Sequence, residues 1–339
     1  MKEATVADEI LMAHGSGGKL AHGLVQRTFV DVLDNPLLAK LDDSAVFNVS
    51  GRLAFTTDSY VVTPIFFPGG DIGKLAVCGT VNDLAMSGAC PLYLSLSFII
   101  EEGFSKKDLE AVVASVKETA DEAGVAIVTG DTKVVDRGSV DKLYINTAGV
   151  GTVAQNADIS GENARPGDKI LLSGPIGDHG IAVISKREGL SFSTQLTSDC
   201  APLNDLVASM LKASPNIHCL RDPTRGGLAT TLNELARQSQ VKILIEEEQV
   251  PVREEVLAAC EMLGFDPLYV ANEGKLVAVV AASDAQHVLE AMRANRYGEQ
   301  AVIIGEVAEG DPGRVVMKTP LGTTRIVDML TGDLLPRIC

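Results

Sequence analysis

Apolar and polar positions alternate along the chain with two periods, and the segments they mark predict most of its elements. Residues 53–57 read as a strand ending in Asp58, 71–86 as a helix and 92–100 as a second strand. Residues 105–123 place Leu109, Val112, Val113 and Val116 on one stripe, with Gly124 as the stop, which predicts an amphipathic helix. Residues 125–129 form a short buried strand running into Gly130 and Asp131, and 143–150 another before Gly151. After ARPGD at 164–168 the alternation starts again. Residues 203–214 carry Leu203, Leu206, Val207, Met210 and Leu211 on one face, and a helix over 227–238 opens after a Gly pair. Strands follow at 241–245, 276–281 and 301–307, and helices at 252–263 and at 283–296, with Ser283 as N-cap. Past Arg314 come short strand-like pieces. The last segment, 331–339, holds Gly332 and Pro336, has no periodicity, and is expected to be mobile.

The pattern predicts an α+β chain of two domains. Residues 1–155 make an N-terminal domain with a mixed sheet, 156–330 a C-terminal domain whose mixed sheet is covered by helices, and 331–339 a tail. A length of 339 residues supports this, being more than one hydrophobic core usually serves. The net charge of −16 narrows the function. So acidic a surface repels phosphate backbones and anionic lipid, so neither nucleic acid nor membrane is expected as a partner, and a nucleotide must be gripped locally. No apolar run is long enough to cross a bilayer, and MKEATVADEI carries no apolar core of a leader, which predicts a cytoplasmic protein. The six cysteines include no C-x-x-C pair, so neither a disulfide framework nor a zinc site is indicated. Most read as buried thiols, but Cys339 is the last residue, where packing hardly explains it.

Several motifs carry candidate chemistry. His14-Gly15-Ser16-Gly17-Gly18-Lys19 suits the approach of backbone amides to an anion, yet Ala13 and Leu20 stand where a Walker A loop needs Gly and Ser or Thr. A solvated loop explains it equally well. Carboxylates recur in turn-rich settings: Asp42-Asp43 in LDDSAV, Asp58 in FTTDS, Asp83 in VNDLAMSGA, Asp131 in TGDTK and Asp222 in RDPTRGG. Any one alone is a turn or N-cap residue; together, flanked by buried runs, they suit Mg²⁺ and through it phosphate oxygens. GPIGDHG at 174–180 and the RDPTRGG turn with Arg225 both precede helical patterns and offer amides and a guanidinium to an anion, or simply turn. His179 reads equally as a packing or a capping residue. Asn272-Glu273-Gly274-Lys275 reads as a surface turn. A terminal thiol in PRIC is either incidental or a carrier that takes a group up at one site and delivers it at another.

In order and spacing, HGSGGK, DDSAV, TTDSYVVTPIFFPGGDIGKLAV, VNDLAMSGA, TGDTKVV, GDHG, RDPTRGGLA, NEGK and the terminal PRIC resemble the HypE family of [NiFe]-hydrogenase maturation proteins, from residue 14 to the end. That family belongs to the superfamily of aminoimidazole ribonucleotide (AIR) synthetase and selenophosphate synthetase, with a PurM-like two-domain fold. The resemblance implies an ATP-dependent carbamoyl dehydratase. The carbamoyltransferase HypF would load a carbamoyl group on Cys339, and the tail would enter the ATP site. Attack of the carboxamide oxygen on the γ-phosphate, then loss of phosphate and a nitrogen proton, would leave a thiocyanate whose cyano group passes to iron on a HypC–HypD complex.

The same resemblance implies site residues. Asp43, Asp83 and Asp222 would hold Mg²⁺. ATP would be bound by Lys19, Asp43, Asp58, Asn82, Gly130, Asp131, Thr132 and Arg225. Cys339, Lys133, Glu273 and Asp83 would be catalytic, with Glu273 as the base that removes the nitrogen proton. A homodimer formed through the N-terminal domain is implied as well. Ser16 stands where selenophosphate synthetases carry Cys or selenocysteine, which separates the chain from them. Two other functions remain: a superfamily enzyme phosphorylating a small-molecule oxygen or selenide, and a non-catalytic carrier in which ATP only sets conformation.

Overall fold

The computed structural model describes residues 9–16, 18–41, 44–190 and 196–329. Asp42, Asp43, Gly17 and the segment 331–339 with Cys339 lie outside the described residues.

The chain opens with a short turn, α1 (Lys19–Leu24), a π-helical stretch and α2 (Asp31–Leu33). A four-stranded sheet follows, built from β1 (Leu53–Tyr60), β4 (Ala89–Glu101), β5 (Ala126–Val135) and β6 (Leu143–Val153) in the order β1-β6-β4-β5. Only β4 and β5 run parallel, so the sheet is mixed. A two-residue ribbon, β2 (Phe66–Phe67) with β3 (Gly70–Asp71), leads into α3 (Ile72–Met86). The Asp71 carboxylate accepts the Gly73 and Lys74 N–H groups, an N-cap that starts α3. Helix α4 (Lys106–Ala123) starts at Ser105, whose hydroxyl accepts the Asp108 N–H, and stops at Gly124 in the left-handed conformation.

The second sheet has seven strands in the order β13-β12-β9-β11-β7-β10-β8. They are β7 (Lys169–Leu172), β8 (Ile217–Arg221), β9 (Lys242–Glu246), β10 (Val277–Val280), β11 (Val302–Ala308), β12 (Arg314–Lys318) and β13 (Thr324–Ile326). The β12–β9 pair is parallel and the others antiparallel. The helices of this half are α5 (Asp178–Glu188), α6 (Asn204–Ala213), α7 (Gly227–Gln238), α8 (Glu254–Leu263) and α9 (Ala285–Arg293). Sheets and helices together give the α+β fold. No helix among the described residues is long and apolar enough to cross a membrane.

Several elements differ from their sequence patterns. Strand β5 does not end at Thr129 but continues through Gly130, Asp131, Thr132 and Lys133 to Val135, because pairing with β4 supplies backbone partners to polar residues that alone read as a turn. Likewise β1 runs on through Asp58 to Tyr60. Helix α9 begins after Asp284, not Ser283, whose hydroxyl instead donates to the Asp284 carboxylate. Asp284 also accepts from Ser214 and Asn216, bonds that lower its pKa to about 2.

The halves interlock along α3. Ala85 and Met86 of α3 pack with Leu206, Met210 and Leu289 of the second half, and Cys200 and Ala271 join the core under the first sheet. Buried Asn82 bridges the halves: its amide donates to the Ala201 carbonyl at 3.1 Å and the Glu273 carbonyl at 3.4 Å, and its oxygen accepts the Leu203 N–H at 2.8 Å.

Candidate active site

A cleft opens where the end of α3, strand β1 and the turn after β8 meet. Two adjoining cavities, of about 250 and 420 Å³, share Asp83, Asp222, Thr224 and Arg225. The smaller adds Asp58, Tyr60 and Glu273. Alternation along β1 puts Thr56, Asp58 and Tyr60 on the face toward α3, and the Thr56 hydroxyl donates to Asp83 at 2.9 Å. Asp83 occupies the last turn of α3, and Asp222 follows β8 directly. After Asp222, Gly226 and Gly227 take positive φ, and a Cβ on Gly227 would strike the carbonyls of Leu268 and Val270, so the turn into α7 requires glycine there.

The carboxylates burden one another electrostatically. Burial, then the neighbouring Asp83, push the Asp222 carboxyl up to about 7. Burial also raises Asp83, with Asp58 adding to the shift and Thr56, Arg221 and Arg225 opposing it. Burial drives the Tyr60 phenol upward, reinforced by Asp58. Such crowded negative charge favours a cation, and Mg²⁺ characteristically takes one or two carboxylates plus phosphate oxygens. Asp83 and Asp222 meet that requirement. Among the described residues no group of three metal-ligating side chains occurs.

Glu273 departs most from its sequence pattern. The NEGK segment is not a surface turn: Asn272 is fully buried and Glu273 only 6 % exposed. The Asn272 N–H and side-chain amide donate to the Pro223 carbonyl at 3.2 and 2.9 Å, and its oxygen accepts the Gly177 N–H at 2.7 Å. The turn therefore docks on both glycine-rich turns of the second half, which brings Glu273 to the wall of the same cavity as Asp222.

A second, larger cavity, about 740 Å³, lies between the N-terminal segment and the first sheet. His14 and Gly15 line it together with Gly130, Asp131, Thr132 and Lys133 on β5, and Phe29, Leu96 and Phe98 supply apolar walls. Residues 130 and 131 are exposed there. Burial, together with the charge of Lys106, lowers the pKa of His14, whose Nδ1 accepts the Leu11 N–H.

The sequence-derived site therefore falls into two groups. Asp58, Asp83, Asp222, Arg225 and Glu273 converge on the cleft, whereas Gly130, Asp131, Thr132 and Lys133 line the larger cavity. Lys19, in the first turn of α1, is exposed and lines neither. Asn82 is buried and lines neither cavity, and its amide bridges the two halves. His179 is a packing residue, edge-on to Phe67 with Nδ1 at 2.8 Å from the Ser198 hydroxyl, and burial drops its pKa to about 4. Cys78, Cys200, Cys219 and Cys260 are buried and Cys90 is exposed. Asp43 and Cys339 lie outside the described residues. Sequence reasoning missed Thr56 and Tyr60, which the period-2 alternation of β1 places on the Asp58 face, and it missed Asp199, which no local pattern marks.

Comparison with known proteins extends this geometry. The family model of the AIR synthase related protein N-terminal domain matches residues 41–153, and that of the C-terminal domain residues 165–318. The chain is 55 % identical to carbamoyl dehydratase HypE of Azotobacter vinelandii over 97 % of its length and 96 % of that protein's. It superposes on a crystal structure of hydrogenase maturation protein HypE in complex with ATP with a TM-score of 0.94, at 52 % identity, covering 97 % of this chain and 99 % of the other. A HypE chain in a HypE–HypF complex is also 52 % identical, with a TM-score of 0.81 over 91 % of this chain and 99 % of that one. The chain belongs to the carbamoyl dehydratase HypE family of AIR synthase-related proteins.

Proposed function

We propose that this protein dehydrates an S-carboxamide carried on its own Cys339 to a thiocyanate, consuming ATP. The observation that carries the reading is the convergence of Asp58, Asp83, Asp222 and Glu273 on one cleft whose electrostatics call for a cation and a phosphate. A carboxamide oxygen is a weak nucleophile and a poor leaving group, and phosphorylation remedies the second defect. The oxygen bonds to the γ-phosphorus as ADP leaves. The carbon–oxygen bond then breaks with release of phosphate, the nitrogen loses its protons, and a carbon–nitrogen triple bond remains.

Glu273 accepts a nitrogen proton, a role suited to a carboxylate held at the wall of a small cavity. Arg225 faces the phosphates from the turn after β8. Asp58, Gly130, Asp131 and Thr132 bind the nucleotide, Lys19 reaches its phosphates, and Lys133 acts beside the thiocarboxamide. Asp83 and Asp222, with Asp43, would hold Mg²⁺, which would supply positive charge to the phosphoryl oxygens.

HypF, which crystallises with a 52 % identical relative, loads the thiol, and a HypC–HypD complex receives the cyano group. The domain boundary falls near residue 155, and the N-terminal domain dimerises through the open face of its sheet. Odd-numbered positions of β1 point away from α3, and there Phe55 is 74 % exposed beside Leu53, as an interface between copies requires.

Intact mass after incubation with HypF, carbamoyl phosphate and Mg-ATP tests the reaction. The wild type gains about +43 Da, which ATP converts to about +25 Da, and Cys339→Ala shows neither. A folded, ATP-binding protein that takes up no adduct overturns the carrier thiol and points to phosphorylation of a small molecule.

A further inference from the structure

Asp199 has no part in the reaction above, yet its buried carboxylate is wholly engaged with the residues around Glu273. One oxygen accepts the Glu273 N–H at 3.1 Å; the other accepts the Gly274 N–H at 3.2 Å and pairs with the Lys275 ammonium at 3.2 Å. Lys275 also donates to the Gly274 carbonyl. A Cβ on Gly274 would run into the Asp199 carbonyl, so the two backbones touch at a place only glycine allows. From the opposite side, the Glu273 carbonyl accepts the Ala201 N–H and the Asn82 amide, each at 3.4 Å. The peptide planes on both sides of Glu273 are therefore clamped.

Burying an ion pair contributes little to stability by itself, because desolvation offsets the attraction. What this pair does provide is direction. Two successive N–H groups aimed at one carboxylate fix the backbone path through Glu273, and that path decides where its side chain enters the cleft. We propose that Asp199, charge-balanced by Lys275, is a positioning residue for Glu273, holding the turn so that the Glu273 carboxylate faces the reacting carboxamide. The proposal rests on the reading of Glu273 as the proton acceptor.

The test is a double-mutant cycle on full-length protein carrying the S-carboxamide, with single-turnover dehydration after Mg-ATP addition followed by intact mass. Asp199→Asn removes the charge and one of the two acceptors. It is expected to slow dehydration about 10–100-fold, as misplacement of a catalytic group by a fraction of an ångström to an ångström does, while the ATP dissociation constant stays within about twofold. On a Glu273→Gln background the same substitution is expected to cause no further loss, because its effect passes through a carboxylate already removed.

Losses that multiply overturn the proposal, as does an Asp199→Asn protein at the wild-type rate when Glu273→Gln is slow. A Glu273→Gln protein at the wild-type rate overturns the proton-acceptor reading itself, and the positioning role with it. Should Asp199→Asn fail to fold, Lys275→Gln enters the same cycle, since it leaves both N–H bonds to Asp199 in place. A loss of about 3–10-fold that disappears on the Glu273→Gln background supports the proposal, and a loss that multiplies with it, or none at all, overturns it.

Discussion

The interdomain cleft and the β5 edge both gather residues of the candidate site, but they are built in opposite ways. In the cleft three of the four carboxylates sit on a support: Asp83 is bonded to Thr56, Asp222 lies in a turn held by Gly227, and Glu273 stands on a buried turn clamped on both sides. Burial leaves Asp222 and Asp83 with raised proton affinity. Along β5, at the edge of the sheet, Gly130, Asp131 and Thr132 line the larger cavity, with Gly130 and Asp131 exposed. The contrast separates two tasks. Moving a proton requires a group already aimed before substrate arrives, whereas gripping a charged, multidentate ligand allows side chains to settle around it.

The strongest challenge to this contrast is Gly274→Ala. The added methyl meets the Asp199 backbone and forces the turn to move, which is expected to cost about 2–4 kcal/mol of stability in chemical denaturation, with loss of dehydration. A fully stable Gly274→Ala protein would show that the cleft tolerates slack.

Asp222→Asn probes the stored charge. The folded-state pKa of Asp222, about 7, lies above its usual 3.8, so its contribution to stability is complete below pH 4 and is lost as pH rises toward 7. In metal-free protein, Asp222→Asn is therefore expected to melt higher than wild type at pH 8, by about 1–3 kcal/mol, with the difference vanishing near pH 4. Equal melting at both pH values would mean that the cleft carries no such burden.

Asp131→Ala, on the edge, is expected to change unfolding free energy by less than about 0.5 kcal/mol while weakening ATP binding about tenfold, measured by calorimetry. A stability loss as large as that of Gly274→Ala would erase the distinction between the two regions.

The sequence was legible where a local signal coincided with the tertiary outcome. Helix α4 carries its cap, stripe and stop within twenty residues, and α7 begins where its Gly pair says. Strands β7 and β8 were not recognised, because runs of four or five residues are too short to show the alternation that marks a strand. The acidic residues of the cleft were legible as a set, since each sits beside turn-forming residues. The burial of NEGK was not, because a polar tetrapeptide looks like a solvated turn until Pro223, Asp199 and Asn82 are brought to it from positions roughly 50 to 190 residues away. The bridging role of Asn82 was equally hidden, because its partners Ala201, Leu203 and Glu273 come from more than a hundred residues away.

That bridging side chain bears on modularity. Asp83 follows Asn82 in the chain, and Asn82 grips the carbonyl of Glu273, so the residue proposed to hold the cation and the residue proposed to take the proton are registered by one amide across the boundary between halves. The two halves each possess a sheet and a core, yet they are not interchangeable parts. A chimera pairing either half with that of a distant relative could fold completely and still be catalytically silent, because what passes across the seam is alignment.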